Sequence, residues 1–227
     1  PLLAGGEGLV ENDSHDGGFS ETTTASFSVD AVIGSIDGDT TSEATTFEYQ
    51  YNIGLSTSFT GEDSLDVAID SGSATLSPIG TKMGFDSGTS LVVDGVTYSF
   101  PVGGATMVVG DSTDVSATFT GACTYSAFTD ATPDDCGTGN SMGAGGKGVT
   151  AALSYAFDSG FSLAGGITSG QAEILGDDAD AFGLNAAYST DDYGVAVAYI
   201  SDDGGTGADT TIWGLNGYYT FDLASVS

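Results

Sequence analysis

Positive charge is nearly absent from this chain: lysine and arginine together supply 2 of its 227 residues, against 32 acidic residues, for a formal net charge of −30. Proteins that bind nucleic acid neutralise phosphates with Lys and Arg, so this composition excludes nucleic-acid binding. The four prolines are too few for a collagen-like or polyproline structure. The single histidine, His15, cannot by itself supply a catalytic triad or a metal cluster.

Long hydrophobic runs are missing too, and no stretch approaches the ~18 apolar residues that suggest a membrane-spanning helix. This absence does not exclude a membrane, because the lipid-facing residues of a transmembrane β-barrel alternate with residues that face the lumen. Hydrophobic residues still make up 40% of the chain and aromatic residues 10%, which argues against disorder.

The chain does contain repeated alternation with period two. In residues 46–60 the alternate positions are apolar or Thr, and the positions between them are polar or glycine. Successive side chains of a strand point to opposite faces, so one face of this strand is predicted to be apolar. Other runs of this kind are residues 22–34, 64–69, 149–157, 161–167, 182–188, 193–199 and 211–221. With weaker runs at 91–93, 96–100 and 105–109, the sequence predicts an all-β chain of about eleven to thirteen strands.

The connections between these runs alternate in length. Tight turns are predicted at residues 61–63, 94–95, 158–160, 190–192 and 222–224. Long segments rich in Gly, Asp, Ser and Thr lie between them, at 35–44, 71–89, 121–148, 169–180 and 201–208. Short turns at one end and long loops at the other are typical of an outer-membrane barrel.

Strand length and aromatic placement favour the same class. Residues 46–60 exceed the usual five to six residues of a soluble strand and suit the ~9–11 of a tilted membrane strand. Aromatic residues lie near both ends of the predicted strands, as expected for two belts at the membrane interfaces. The alternative is that these rings fill the core of a β-sandwich.

Three segments resemble a known family. Residues 55–65 (LSTSFTGEDSL) are similar to the strand–turn–strand motif of cyanobacterial outer-membrane porins, a branch of the OprB-like carbohydrate-selective family also labelled iron-uptake porins. Residues 91–101 (LVVDGVTYSFP) and 19–27 (FSETTTASF) resemble that family's next hairpin and the start of its barrel. The resemblance implies an antiparallel transmembrane β-barrel over residues 19–227, preceded by a polar leader at 1–18. This chain by itself need not supply every strand of the closed barrel.

The same resemblance implies a protein of the cell outer membrane, in contact with its lipid and assembled as a homotrimer. Its channel would be water-filled, for passive diffusion of small hydrophilic solutes, including carbohydrates, and inorganic ions.

The residues themselves indicate what would line such a channel. Four carboxylates occupy the polar phase of well-patterned strands, and a carboxylate facing lipid would be costly, so they are predicted to face the lumen. With two neighbouring amides the predicted pore-lining set is Asp30, Glu48, Gln50, Asn52, Asp66 and Asp70. Because rings of acids select cations, the pore is predicted to prefer cations.

Enzymatic and metal chemistry is weakly indicated. Residues 143–148 match G-x-G-x-x-G, but they follow a loop and open a strand instead of a helix, so no catalytic residue and no enzyme is predicted. The Asp-rich stretches 37–39, 177–180 and 202–203 offer oxygen ligands without completing an EF-hand. We therefore predict no cofactor and no defined metal site, with weak Ca²⁺ binding by these loops left open.

Two further hypotheses remain. Cys123 and Cys136 are the only cysteines, and an even count in an exported chain predicts a disulfide between them, with two free thiols as the alternative. The alternative function is a soluble acidic surface protein of the S-layer type, a β-sandwich whose apolar faces pack sheet on sheet and whose loops bind calcium.

Overall fold

A computed structural model of the chain describes residues 22–35, 37, 44–73, 80, 85, 87–122, 148–170, 180–203, 209–221 and 224–226. The predicted leader, both cysteines (Cys123 and Cys136), and most of the 143–148 glycine motif lie outside these residues. So do most of the Asp-rich stretches 37–39 and 177–180.

Within these described ranges, eleven strands form a single antiparallel sheet in which every strand pairs with its neighbours in sequence. The strands are β1 (Thr23–Gly34), β2 (Thr46–Thr57), β3 (Ser64–Gly72), β4 (Val92–Val102), β5 (Ala105–Thr113), β6 (Gly148–Ala156), β7 (Phe161–Ser169), β8 (Asp180–Ser189), β9 (Tyr193–Asp202), β10 (Thr210–Phe221) and β11 (Ala224–Val226). The predicted all-β architecture is confirmed, and this up-and-down order is the connectivity of a barrel wall.

One predicted hairpin is wrong. Asp94 and Gly95 lie inside β4 instead of forming a turn between two short strands. The register against β3 shifts there, because Ala68 pairs with Gly95 while Ile69 pairs with Val93, so Asp94 is the extra residue of a β-bulge. The true turn follows at Gly103 and Gly104, where Gly103 has a φ of 64° that favours glycine. The sequence Asp-Gly occurs both in β-bulges and in turns. The sequence alone therefore placed the chain reversal at residues 94–95 instead of 103–104.

The other connections follow the predicted alternation. Short turns join β2 to β3 (residues 58–63), β6 to β7 (157–160) and β8 to β9 (190–192), all at one end of the sheet. The longer connections 35–45, 73–91, 114–147, 170–179 and 203–209 lie at the opposite end. We call these the short-turn end and the long-loop end.

The sheet is not closed within the described residues. There, β1 hydrogen-bonds only to β2, and β11 only to three residues of β10, Tyr219–Phe221. This agrees with the expected barrel wall that the chain alone need not complete. Among these same residues, no helix is long and apolar enough to cross a membrane.

Candidate functional site

The strand register separates the sheet into two chemically different faces. Residues that pair directly across strands point to the same side, so the paired set Phe27–Ile53–Ile69 defines one face. This apolar face continues across the sheet, for example from Leu163 through Ala186 to Val197. At the long-loop end of β5 the same phase carries the exposed Asp111, which pairs with Val96. The opposite phase carries small and polar residues and forms the polar face.

The apolar face is the exposed one. Phe27 is 74% exposed, Trp213 is 70% and Leu215 is 78%. The buried side chains belong largely to the polar phase, as Ala152, Ala196 and Ala198 do. A water-soluble protein buries its large apolar residues, so this inverted arrangement indicates that the exposed face contacts an apolar medium.

Aromatic rings on the apolar face gather at the two ends of the strands. At the short-turn end the ring centroids of Phe161 and Tyr188 lie 4.5 Å apart. Those of Tyr219 and Phe221 lie 4.7 Å apart. At the long-loop end Tyr199 and Trp213 pair at 4.8 Å. Amphipathic rings concentrate at membrane–water interfaces, so both predicted belts are present in the geometry.

All six residues of the predicted pore-lining set lie on the polar face. Asp30 pairs with Gln50 across β1 and β2, and Asn52 pairs with Asp70 across β2 and β3. The other two members, Glu48 and Asp66, share that face because they lie an even number of residues from Gln50 and Asp70 on the same strands.

The structure divides this set by accessibility. Asp30 is exposed, and Asn52 and Asp66 are half-buried. Glu48 is only 2% exposed and Asp70 only 7%. Two residues of the β3–β4 connection lie against them: Gly80 packs on the Glu48 carboxylate, and the Ser87 hydroxyl donates a hydrogen bond of 2.9 Å to Asp70 Oδ2. The two groups of carboxylates therefore differ in how well water can reach them.

The polar face of β7 to β10 is different, because most of its residues are glycine, alanine or neutral polar residues, with Ile200, Ile212 and Tyr218 as its large side chains. Residues 114–122, which we call the inner segment, follow β5 and pack onto this wall. Val115 is fully buried against Ala181 and Ile200, and Ala122 is buried against Ala187 and Ala196. A Cβ built at Gly183 would meet Phe119 Cζ at 2.6 Å, so the wall needs glycine there to admit the segment.

Two asparagines of the wall hold the inner segment. Asn185 Oδ1 accepts a 2.8 Å hydrogen bond from the Thr120 backbone N–H, and Asn185 Nδ2 donates to the Thr120 carbonyl at 3.2 Å. Asn216 Oδ1 accepts a 2.7 Å bond from the Ala122 N–H. These side chains satisfy backbone groups that have no strand partner. The inner segment is thus fixed against one side of the polar face.

Sequence reasoning missed the inner segment and its asparagine anchors. Its four apolar residues are Val115, Ala117, Phe119 and Ala122. The first three alternate as in a strand, whereas Val115, Phe119 and Ala122 have helical spacing, so this short run predicts neither element. The available indication was on the partner strands, whose polar phase is unusually small: Gly166, Gly183, Ala187, Ala196, Ala198 and Gly214. A sheet face with many small side chains leaves space that another segment of the chain can fill.

The turn between β2 and β3 is organised by Asp63. Its Oδ1 accepts hydrogen bonds from the Phe59 and Thr60 backbone N–H groups at 3.0 and 2.7 Å, and from the hydroxyls of Ser58 and Thr60 at 2.8 Å each. Its Oδ2 accepts a 2.6 Å bond from the Tyr98 hydroxyl. The bond from Tyr98, with those from Thr60 and Ser58, outweighs desolvation and holds the pKa of Asp63 well below its usual range. These bonds also explain why β2 ends at Thr57, three residues before the end of the predicted run.

The residues that the structure describes include no group of three or more His, Cys, Asp or Glu side chains placed to hold a metal ion. Two of the Asp-rich stretches do meet at the long-loop end, where the Asp203 N–H donates to the Asp180 carbonyl at 2.8 Å. That contact involves backbone atoms and does not bring three carboxylates together.

Comparison with solved structures supports a porin-like β-barrel fold. The chain is similar to a triple mutant of the Rhodopseudomonas blastica porin, with 15% sequence identity, a TM-score of 0.53, and coverage of 88% of this chain and 71% of that one. A second variant of this porin gives the same values, and a third gives 14% identity and a TM-score of 0.51 over 88% of this chain and 70% of its own. At this identity the likeness concerns the fold alone. No family model matches the chain. No curated protein matches it either.

Proposed function

We propose that this chain forms the wall of a water-filled channel in the cell outer membrane, through which small hydrophilic solutes and inorganic ions diffuse passively. The observation that carries this proposal is the inverted sheet, with its large apolar side chains exposed and its polar and small side chains on the opposite face. Passive diffusion requires a lipid-facing apolar surface and a water-facing polar surface, and it requires no catalytic group.

The soluble sandwich is less well supported. In a sandwich the apolar faces of two sheets pack on each other, about 10 Å apart. The described strands instead form one sheet, and its apolar face is exposed from β1 to β10. Two aromatic belts on that face also fit a bilayer better than a core, because a core has no reason to collect rings at both strand ends.

We propose that Asp30, Asn52 and Asp66 line the aqueous path directly, with half-buried Gln50, whose side-chain oxygen is buried, between them and the wall. Glu48 and Asp70 stand behind residues 80 and 87 and contribute their field from beneath this cover. Carboxylates along the wall attract cations and repel anions, so the channel should prefer cations. The chain has no arginine, and both of its lysines, Lys82 and Lys147, lie outside the residues that the structure describes.

We also propose that the inner segment narrows the channel opposite the acidic strands. Support comes from its hydrogen bonds to Asn185 and Asn216 and from the burial of Val115 and Ala122 against the wall. A segment fixed at both points takes up lumen cross-section without needing to move.

The finer assignments rest on the sequence resemblance. It supports a member of the cyanobacterial OprB-like branch that passes carbohydrates as well as ions and assembles as a homotrimer. The predicted Cys123–Cys136 disulfide would follow the inner segment directly in sequence. It would restrict the conformations of the rest of the β5–β6 connection.

Planar bilayers test the proposal. Protein purified in detergent should insert with stepwise conductance increments, and a salt gradient should give a zero-current potential of cation-selective sign. Insertion without conductance would contradict the channel. A zero-current potential of anion-selective sign would contradict the cation preference while leaving the channel intact.

A further inference from the structure

Within the part of the chain that the structure describes, the apolar face carries a depression. It is an open groove of about 680 Å³ across strands β7 to β10, and it is lined by Leu163, Ala164, Leu184, Asn185, Ala186, Val197, Tyr199 and Trp213. None of these side chains carries a charge. The groove lies within the exposed apolar face and is continuous with it.

The depression exists because one residue is small among large neighbours. Ala186 pairs with Leu163 on one side and with Val197 on the other. The next residues outward on the same face of β8 are Leu184 and Tyr188. An alanine surrounded by leucine, valine and tyrosine leaves unfilled volume above its methyl group.

The groove has a polar end and an apolar end. Tyr199 and Trp213 stand at the long-loop end, where their hydroxyl and indole N–H can meet lipid headgroups. Val197, Ala186 and Leu163 lie closer to the middle of the sheet. This order of groups matches a lipid, with its headgroup at the interface and its chain directed into the bilayer.

We propose that this groove binds one acyl chain of an outer-membrane lipid, with the polar headgroup of that lipid beside Tyr199 and Trp213. The inference rests on the proposed function, because it requires the apolar face to lie in a membrane. Within a bilayer the gain comes from packing, since hydrocarbon surrounds the protein in any case. A flexible chain fills an irregular depression that an empty wall would leave without contacts.

Trp213 provides the reporter, because it is the only tryptophan of the chain. We would titrate detergent-purified protein with phosphatidylcholine that carries bromine atoms on its acyl chains, which quench tryptophan on contact. The proposal predicts quenching of Trp213 that saturates near one lipid per chain. Ala186→Phe, which fills the groove, should remove the saturating component, and the milder Ala186→Leu should weaken it.

Two controls make the result specific. Ala31→Phe adds the same ring to the apolar face at β1, opposite Tyr49, and should leave the saturation unchanged. The double variant Val29→Trp with Trp213→Phe moves the reporter to exposed Val29 on β1, where only gradual quenching without saturation is expected.

The remaining outcomes overturn the inference in distinguishable ways. Gradual quenching of both reporters would mean that lipid surrounds the protein without a site. An unquenched Trp213 beside a quenched Val29→Trp reporter would mean that a second copy of the chain covers the groove. If neither reporter is quenched and the protein does not float with vesicles, the proposed membrane location is itself wrong.

Discussion

The two halves of the polar face differ in charge and in what packs on them. The half formed by β1 to β3 carries carboxylates, some open to water and some beneath the β3–β4 connection. The half formed by β7 to β10 carries almost no charge and many small side chains, and the inner segment packs on it. The β1–β3 half therefore supplies the electric field of the proposed channel. The β7–β10 half holds the inner segment, which narrows the proposed channel.

The largest effect should come from removing both anchors of the inner segment. Asn185→Ala with Asn216→Ala leaves the Thr120 N–H and C=O and the Ala122 N–H without their present partners, and each of these part-buried hydrogen bonds contributes about 0.5–1.5 kcal/mol. The segment should leave the wall, and the single-channel conductance should rise and fluctuate.

The comparison variant is Gln50→Ala with Asn52→Ala, which also removes two amide side chains, from the acidic half of the same face. Its mean conductance is expected to change, because both residues belong to the predicted pore-lining set. That conductance should nevertheless stay steady in time. An unchanged, quiet conductance in Asn185→Ala with Asn216→Ala would show that the segment does not narrow the channel.

A smaller and more specific effect is expected from the carboxylates. Asp30→Asn with Asp66→Asn removes two accessible charges, and the zero-current potential should move clearly toward zero. Glu48→Gln with Asp70→Asn removes two charges that are covered by residues 80 and 87, so the shift should be smaller. Equal shifts from both pairs, measured in the same salt gradient, would contradict the division of the acidic half into open and covered groups.

The acidic half shows which features of the site the sequence pattern could predict and which it could not. The alternation in β1, β2 and β3 placed all six predicted polar residues on one face, because period two is a local property of the strand. The cover over Glu48 and Asp70 was not predictable, since it depends on Gly80 and Ser87, which are far from them in sequence. The inner segment was missed for the same reason: its contacts join residues 65 to 94 positions apart.

The misplaced hairpin at Asp94-Gly95 has a separate origin. Local sequence indicated that regular pairing is interrupted there, and it is. It could not distinguish a turn, which reverses the chain, from a bulge, which only shifts the register against β3.

The smallest effect should come from the short-turn end, away from both halves of the polar face. Asp63→Asn removes the charge that accepts the hydrogen bonds from Tyr98, Ser58 and Thr60, so thermal unfolding in detergent should occur at a modestly lower temperature. Asp158→Asn changes an exposed carboxylate in the β6–β7 turn and should have no effect.

The pH dependence of this effect has a definite sign. Because the pKa of Asp63 is lowered in the folded protein, its stabilisation is fully present above the ordinary carboxyl pKa of about 3.9 and is lost as the pH falls toward the lower folded value. The difference in unfolding temperature between wild type and Asp63→Asn should therefore be constant near neutral pH and disappear in strong acid. A difference that grows on acidification would contradict this assignment.

The central claim is that one face of the sheet meets water and the other meets lipid, and two adjacent residues of β2 test it most directly. In protein whose native cysteines are replaced by serine, Asn52→Cys on the polar face and Ile53→Cys on the apolar face would each be exposed to a membrane-impermeant thiol reagent after insertion into vesicles. We expect the cysteine at position 52 to react and to reduce the current when modified, while the cysteine at position 53 stays protected until detergent is added. Reaction at position 53 with protection at position 52 would contradict the account.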